Sequence, residues 1–212
     1  MELTLRFRDE LPAIGSPADK HKIRRQLHDQ LSVYWSQDIR LQEMNNDLKS
    51  LQIATRESDR FVVPRPIVGM KNFFWRYPLN GLDFIPLASD TREIHCYLDM
   101  RIYRPSKKGS ILFGGGDIDN QLKTFFDALR VPHSAHELPT SVPRDPDPNL
   151  WPHMFCLLDD DRAITRLSIH SLRLLTPVPS GLSHPDNYVE IDFDVTIMPI
   201  TPMSGSVELL FP

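Results

Sequence analysis

The chain reads as one α+β domain, a mixed α/β sheet packed by two helices, and three observations predict this. Three stretches alternate apolar and polar residues with period two, as half-buried strands do: residues 2–8, 93–103 and 188–198. Two others, from Pro17 onward and from Ile118 to Leu129, repeat their apolar residues near every 3.6 positions. The strands expected after residue 155 follow one another too closely for parallel crossovers, which argues against a purely parallel α/β fold. With 212 residues, 41% hydrophobic and 25% charged, residues 1–212 suit a single domain with a sizeable core.

In chain order, Leu3, Leu5 and Phe7 face one side of the first strand, with Glu2, Thr4 and Arg6 on the other. Ser16-Pro17-Ala18-Asp19 has the form of an N-cap, a first-turn proline and a capping-box acid. Ile23, Leu27, Leu31, Tyr34 and Leu41 continue it as a helix to about Leu48, with a break midway allowed. Lys20, Lys22, Arg24 and Arg25 crowd its first turns, and read either as a solvated helix end or as a phosphate-contacting patch.

From about 55 to 90 the pattern blurs, because prolines at 64, 66, 78 and 86 preclude a long regular element. Phe73, Phe74, Trp75 and Tyr77 within it suit a core or subunit contact, or stacking on unpaired bases. The strand over 93–103 sets Ile94, Cys96, Leu98, Met100 and Ile102 against Glu93, His95, Tyr97, Asp99 and Arg101. It leads through Arg101, Arg104, Lys107 and Lys108 to three glycines. This basic stretch is either a solvated loop or the wall of a groove that takes a nucleic-acid backbone.

Segment 131–152 holds six prolines and reads as an extended loop or flap. His133-Ser134-Ala135-His136-Glu137 inside it imitates a zinc motif, but its histidines are i, i+3 rather than i, i+4, so an exposed loop is expected. Met154–Leu158 is a short buried strand that delivers Asp159, Asp160 and Asp161 at its end. Strands over 163–175 and 188–198 complete the sheet, with Glu190, Asp192 and Asp194 on a solvated face of the last. Residues 201–212 show no clear element.

The chemistry concentrates at Gly114–Gly116 and the helix they feed. On a wheel of 100° per residue, Ile118, Leu122, Phe125, Phe126 and Leu129 share one side, while Asp119, Lys123 and Asp127 form a stripe on another. A helix cap explains Asp117 alone. It does not explain the accompanying Asp119 and the triplet, because clustered carboxylates repel unless a cation lies between them. Oxygen ligands of this kind suit Mg²⁺ or Mn²⁺. An EF-hand loop is excluded: Gln121 and Leu122 occupy the third-ligand and glycine positions, and no glutamate closes the loop.

These residues resemble the RusA-type Holliday junction resolvases, the crossover junction endodeoxyribonucleases. That family's pattern is Asp-x-Asp-Asn-x-x-Lys entering a helix that ends Phe-Asp-Ala-Leu, followed by Leu-Asp-Asp opening a strand. The chain has Asp117-Ile118-Asp119-Asn120-Gln121-Leu122-Lys123, Phe126-Asp127-Ala128-Leu129 and Leu158-Asp159-Asp160-Asp161. The match covers about a quarter of the chain and is specific to these two segments, with 55–90 and 131–152 atypical.

The resemblance implies a RusA-like mixed β-sheet packed by the long N-terminal helix and the central helix. It implies a homodimeric, Mg²⁺-dependent endonuclease that nicks branched DNA in recombination and repair. Asp117 and Asp119 become metal ligands, Lys123 contacts the scissile phosphate or attacking water, and Asp161 supplies the third carboxylate, with Asp160 its rival. On the reading of the residues themselves, Arg101, Arg104, Lys107 and Lys108 with Lys123 are then the expected DNA contacts, and Asp127, further along the same stripe, is expected to hold Lys123 through an i, i+4 pair. The net charge of −4 requires such cations to be clustered, and an acidic metal site itself lowers the total.

Two other function classes are compatible with the sequence. One is a non-catalytic DNA-binding or assembly protein on the same scaffold; the other is a Mg²⁺-dependent enzyme acting on nucleotides or RNA, although no P-loop supports it. No run of about 18 apolar residues is present, so no membrane span is expected. Without an N-terminal secretion signal, and with only Cys96 and Cys156 in apolar contexts, a cytoplasmic protein with reduced thiols is expected.

Overall fold

A computed structural model of the protein describes residues 1–38, 77–80, 82–90, 94–105, 118–140 and 153–199. Their regular elements run β1 (Glu2–Glu10), α1 (Pro17–Gln37), β2 (Tyr77–Leu79), β3 (Leu82–Ala88), β4 (Ile94–Arg104), α2 (Ile118–Leu129), β5 (His153–Leu158), β6 (Ile164–Arg173) and β7 (Tyr188–Pro199). The predicted extension of α1 to about Leu48 and the aromatics Phe73, Phe74 and Trp75 lie outside the described residues.

Alternation in the sequence becomes one buried face of a four-stranded sheet. Leu5 and Phe7 of β1, Cys96, Leu98 and Met100 of β4, and Ile191, Phe193 and Val195 of β7 are buried together in the main core. The strand order is β1-β7-β4-β6. β7 runs antiparallel to both of its neighbours, whereas β4 and β6 are parallel. A second sheet, β2-β3-β5, joins an antiparallel pair to a parallel one. This mixture of pairings with two helices is an α+β fold.

Strands β2 and β3, of three and seven residues, fall in the stretch where the prolines preclude a long regular element. Pairing between the two ends at Tyr77 and Phe84, so Pro86 lies beyond it and, among the described residues, is paired toward Cys156 of β5 alone. A proline lacking its N–H is tolerated on such a one-sided stretch.

Helix α1 begins as its sequence dictates. Ser16 Oγ accepts from the Asp19 amide at 3.2 Å, Asp19 Oδ2 accepts from the Ser16 amide at 2.9 Å, and Pro17 fills the first turn. Ile23, Leu27, Leu31 and Trp35 form its buried face, Trp35 rather than Tyr34 completing the row. The Trp35 ring stacks on Phe155 of β5 at 4.6 Å, and His28 Nδ1 accepts from the Phe155 amide at 3.0 Å. Helix α2 places Phe125 5.6 Å from both Phe7 and Phe193, which seats it on the inner face of the sheet. Thr124 Oγ1 accepts from the Gly15 amide at 3.1 Å, and a Cβ on Gly15 would fall 2.3 Å from Thr124 Cγ2, so this approach requires glycine.

In the basic first turns of α1, Lys20 and Arg24 are drawn inward, whereas Lys22 pairs with an acid while its side chain stays 58% exposed. Lys22 pairs with Asp9 at 2.7 Å and Lys20 with Asp127 at 2.6 Å. Arg24 is only 1% exposed. Its guanidinium donates to the carbonyls of Asp127 at 2.8 Å, Arg130 at 3.4 Å and Glu137 at 3.4 Å. The first of these belongs to the last turn of α2, whose carbonyls have no partners within the helix. The same side chain therefore ties α1, the end of α2 and the following segment together.

That segment is correspondingly less open than a flap. Val131 and Leu138 are buried in a second cluster with Leu82, Phe84, Met154 and Cys156, while His133 and His136 are exposed as expected. Residues 141–152 lie outside the described part. Cys96 and Cys156 are unpaired and buried, and burial pushes both thiols up to about 12. Among the described residues no helix is long and apolar enough to cross a membrane.

Replacing Arg24 with Met takes the donor from the carbonyls of Asp127, Arg130 and Glu137 and removes an ion pair to the Glu137 carboxylate at 4.0 Å. A loss of about 3–5 kcal/mol is expected from the midpoint of urea unfolding, as for breaking a buried ionic contact.

His21 gives a second test. It is buried, neither ring nitrogen has a hydrogen-bond partner, and burial followed by the charges of Arg24 and Arg25 lowers its pKa from 6.5 to about 4. The unfolded chain then binds a proton at this site that the folded chain refuses. Its effect on stability is absent above pH 6.5 and becomes a growing loss as pH falls toward 4. Relative to the wild type, His21→Leu should flatten the decline of unfolding free energy across that window.

Candidate acidic site at the central helix

With Phe125, Ala128 and Leu129 buried, α2 leaves Asp119 and Lys123 exposed, four residues apart on its outer side. Among the described residues Lys123 has no ion-pair partner. Asp117, with the glycines before it, lies outside the described residues, as do Lys107 and Lys108.

Asp127 does not hold Lys123. Its carboxylate is taken by Lys20 at 2.6 Å and Arg130 at 3.3 Å. Burial works to raise this carboxyl, but hydrogen bonding and charge from Lys20, then from Arg130, outweigh it and hold the group below its usual range. The reason is tertiary: the first turns of α1 cross the end of α2, bringing a cation nearer than one on the same exposed helix stripe.

The three consecutive aspartates have three different environments. Asp159 is buried, and its carboxylate accepts from Ser89 Oγ at 2.5 Å, the Asp90 amide at 3.0 Å and Tyr77 Oη at 3.4 Å. Its amide donates to the Ala88 carbonyl at 3.0 Å, so it fastens the end of β5 to the turn between β3 and β4. Asp160 caps the short turn Asp161–Ala163, accepting from the Arg162 amide at 3.1 Å and from Arg162 Nε at 3.0 Å. Hydrogen bonding from Arg162 is the largest cause that lowers its pKa to about 2.

Asp161 is exposed at the start of that turn. Ala163 anchors the turn in the core, and the turn lies beside both α2 and β4. The carboxylate of Asp160 is thus engaged by a guanidinium, whereas Asp161 stands at the surface.

The donor set consists of carboxylate oxygens, which suits Mg²⁺ or Mn²⁺. Among the described residues, however, no three His, Cys, Asp or Glu side chains are grouped closely enough to hold a metal ion. Asp119 and Asp161 alone do not complete a three-carboxylate site, and Asp117 is the remaining member of the predicted set.

The expected DNA contacts divide. Arg101 is a strand residue on the outer face of β4, where its guanidinium pairs with Asp194 of β7 at 2.6 Å. Two further ion pairs, Arg6 with Asp192 at 3.2 Å and Arg8 with Glu190 at 3.4 Å, link the neighbouring β1 to β7. The acids of this face are thus paired as well as solvent-facing, and Arg101, its side chain 38% exposed, is joined to one of them within the sheet. Cross-strand proximity, invisible in a linear reading, is the cause. Arg104 ends β4 beside Arg173 of β6, and burial draws its pKa down. Among the described residues it has no acidic partner.

Sequence reading missed Ser89, Asp90, Tyr77 and Arg162 as the groups that sort the aspartates. Only Arg162 carried a local signal, being a cation two residues after an acid at a turn. Comparisons with protein-family models, curated proteins and solved structures give no match to this chain.

These environments predict unequal costs. Asp159→Ala should lower the unfolding free energy by about 2–3 kcal/mol by leaving buried donors unpaired. Asp161→Asn should stay within about 0.5 kcal/mol of the wild type in the same denaturation measurement.

Proposed function

We propose that the protein is a Mg²⁺-dependent, structure-specific endodeoxyribonuclease that resolves Holliday junctions or related branched DNA by paired phosphodiester hydrolysis, acting as a homodimer. The observation that carries this reading is the exposed Asp119 and Lys123, one turn apart on a helix whose other side is locked into the core. An exposed Asp161 opens the turn beside that helix.

Asp117, Asp119 and Asp161 would hold the cation, with Asp160 kept from it by Arg162. When bound, a divalent ion supplies Lewis-acid chemistry, lowering the pKa of a water and offsetting phosphate charge. Lys123 contributes a compact ammonium with three donors, suited to the charge that develops on the phosphoryl oxygens. Arg104, which has no acidic partner among the described residues, would take the flanking backbone together with Lys107 and Lys108. A two-fold pair of subunits fits a four-way junction because two symmetric nicks need two sites.

A second reading, a non-catalytic DNA-binding or assembly protein, is favoured by one observation. Two of the three clustered aspartates, Asp159 and Asp160, are committed to internal contacts.

Incubation with synthetic four-way junctions, flaps and linear duplex, with and without Mg²⁺, separates the two. Nicking of branched DNA is expected only with Mg²⁺. It should fall at least ~100-fold in Asp119→Asn and Lys123→Ala, which remove charges acting on the transition state. Junction binding in EDTA without nicking in Mg²⁺ would establish the scaffold reading instead.

A further inference from the structure

Arg104 and Arg173 end the parallel pair β4 and β6, and the register sets them directly beside one another. Ile102 of β4 is buried in the main core, so alternation turns Arg104, two residues on, to the same helix-bearing side of the sheet, and its register partner Arg173 shares that side. Adjacent strands lie about 4.8 Å apart, so two permanently charged side chains leave neighbouring backbone positions. The Leu174 amide donates to the Arg104 carbonyl at 2.7 Å, which keeps the strands paired to this point. Arg101, on the other side of β4, finds Asp194 at 2.6 Å. Among the described residues neither Arg104 nor Arg173 has an acidic partner. Like charges side by side in a sheet repel, and an anion between them removes the repulsion.

The pair has a definite place relative to the acidic helix. Glu10 of β1 is opposite Tyr188 of β7, and Tyr103 of β4 is opposite Glu190 of the same strand, so β1 and β4 finish at one end of the sheet. Helix α2 begins at that end, where Gln121 of its first turn donates to the Leu11 carbonyl at 2.8 Å. The two arginines therefore lie at the end of the sheet from which α2 presents Asp119 and Lys123, and on the side of the sheet that the helix occupies. Leu167 and Ile169 of β6, on this side, are 44% and 36% exposed, so among the described residues nothing closes over β6, and Arg173 beyond them is exposed.

We propose that Arg104 and Arg173 together form a phosphate site that grips one phosphodiester of the DNA backbone alongside Asp119 and Lys123. A phosphate suits two adjacent guanidiniums because each planar fork can bond separate oxygens of one tetrahedral anion. Burial already draws the Arg104 pKa down, and a bound anion offsets that cost. The inference rests on the DNA reading above and adds Arg173, to which that reading gives no part. Inorganic phosphate or a mononucleotide offers the same chemistry, and the test separates these sources from the backbone of DNA.

The test titrates the full chain, as wild type, Arg104→Ser, Arg173→Ser and the double variant, into a fluorescent four-way junction in EDTA at several salt concentrations. Each single substitution should weaken binding about tenfold, as for losing a charge-assisted contact. The slope of log affinity against log salt should lessen by about one in the double variant, the count for a single shared phosphate. Inorganic phosphate and a mononucleotide should compete no better than chloride at equal ionic strength. A second measurement is the urea midpoint at low salt, which Arg173→Ser should leave unchanged or raise, because it removes a repulsion. Variants that bind the junction as tightly as the wild type would overturn this inference and leave the DNA reading intact. A lowered urea midpoint would overturn it by showing Arg173 to be structural, and displacement of the junction by free phosphate or nucleotide would overturn the assignment to DNA backbone. A wild type that binds no DNA would overturn the DNA reading and this inference with it.

Discussion

Arg24 is the constraint from which the geometry of the molecule follows. A guanidinium is planar, always protonated and rich in donors, so at 1% exposure it must find several acceptors at once. It finds them on the end of α2, on Arg130 and on Glu137, all in one place. Burial of this charge is unfavourable by itself and lowers the group's pKa. The carbonyls offset that cost because they too would otherwise be buried without donors. With its C-terminal end clamped in this way and Phe125 wedged between Phe7 and Phe193, α2 is fixed in both rotation and translation.

That fixation gives Asp119 and Lys123 whatever precision they have. An exposed pair on a loosely held helix would sample many positions, and chemistry at a phosphate needs charges held close to where they act. Charges inside the structure serve a separate purpose from charges on its surface. Lys20, Asp127, Arg130 and Glu137 neutralise one another around Arg24, which removes Asp127 from the exposed stripe.

The aspartate triplet shows the same separation within three residues. Strand β5 ends where Val131 donates to the Leu158 carbonyl at 2.9 Å, and the chain must then turn from one sheet into the other. Asp159 secures the departure and Asp160 caps the turn, each satisfying backbone donors that the change of direction exposes. Asp161 is left outward because the two residues before it have absorbed the structural work.

Much of the fold was determined by sequence alone. The period-two runs specified β1, β4 and β7, and the capping box together with the 3.6-residue spacing specified where α1 begins and which face of α2 is buried, because these depend on interactions within a few residues. Tertiary structure alone decided which charges remain available. Arg24 looks like a surface cation in the linear chain but is buried, and both it and the surface residue Arg101 take partners 90 or more residues away. Asp159, Asp160 and Asp161 are chemically identical in sequence, and only packing against Ser89, Tyr77, Arg162 and α2 distinguishes them. Strands β2 and β3 were likewise illegible, since Pro78 and Pro86 weaken the local strand signal and only the pairing with each other and with β5 reveals them.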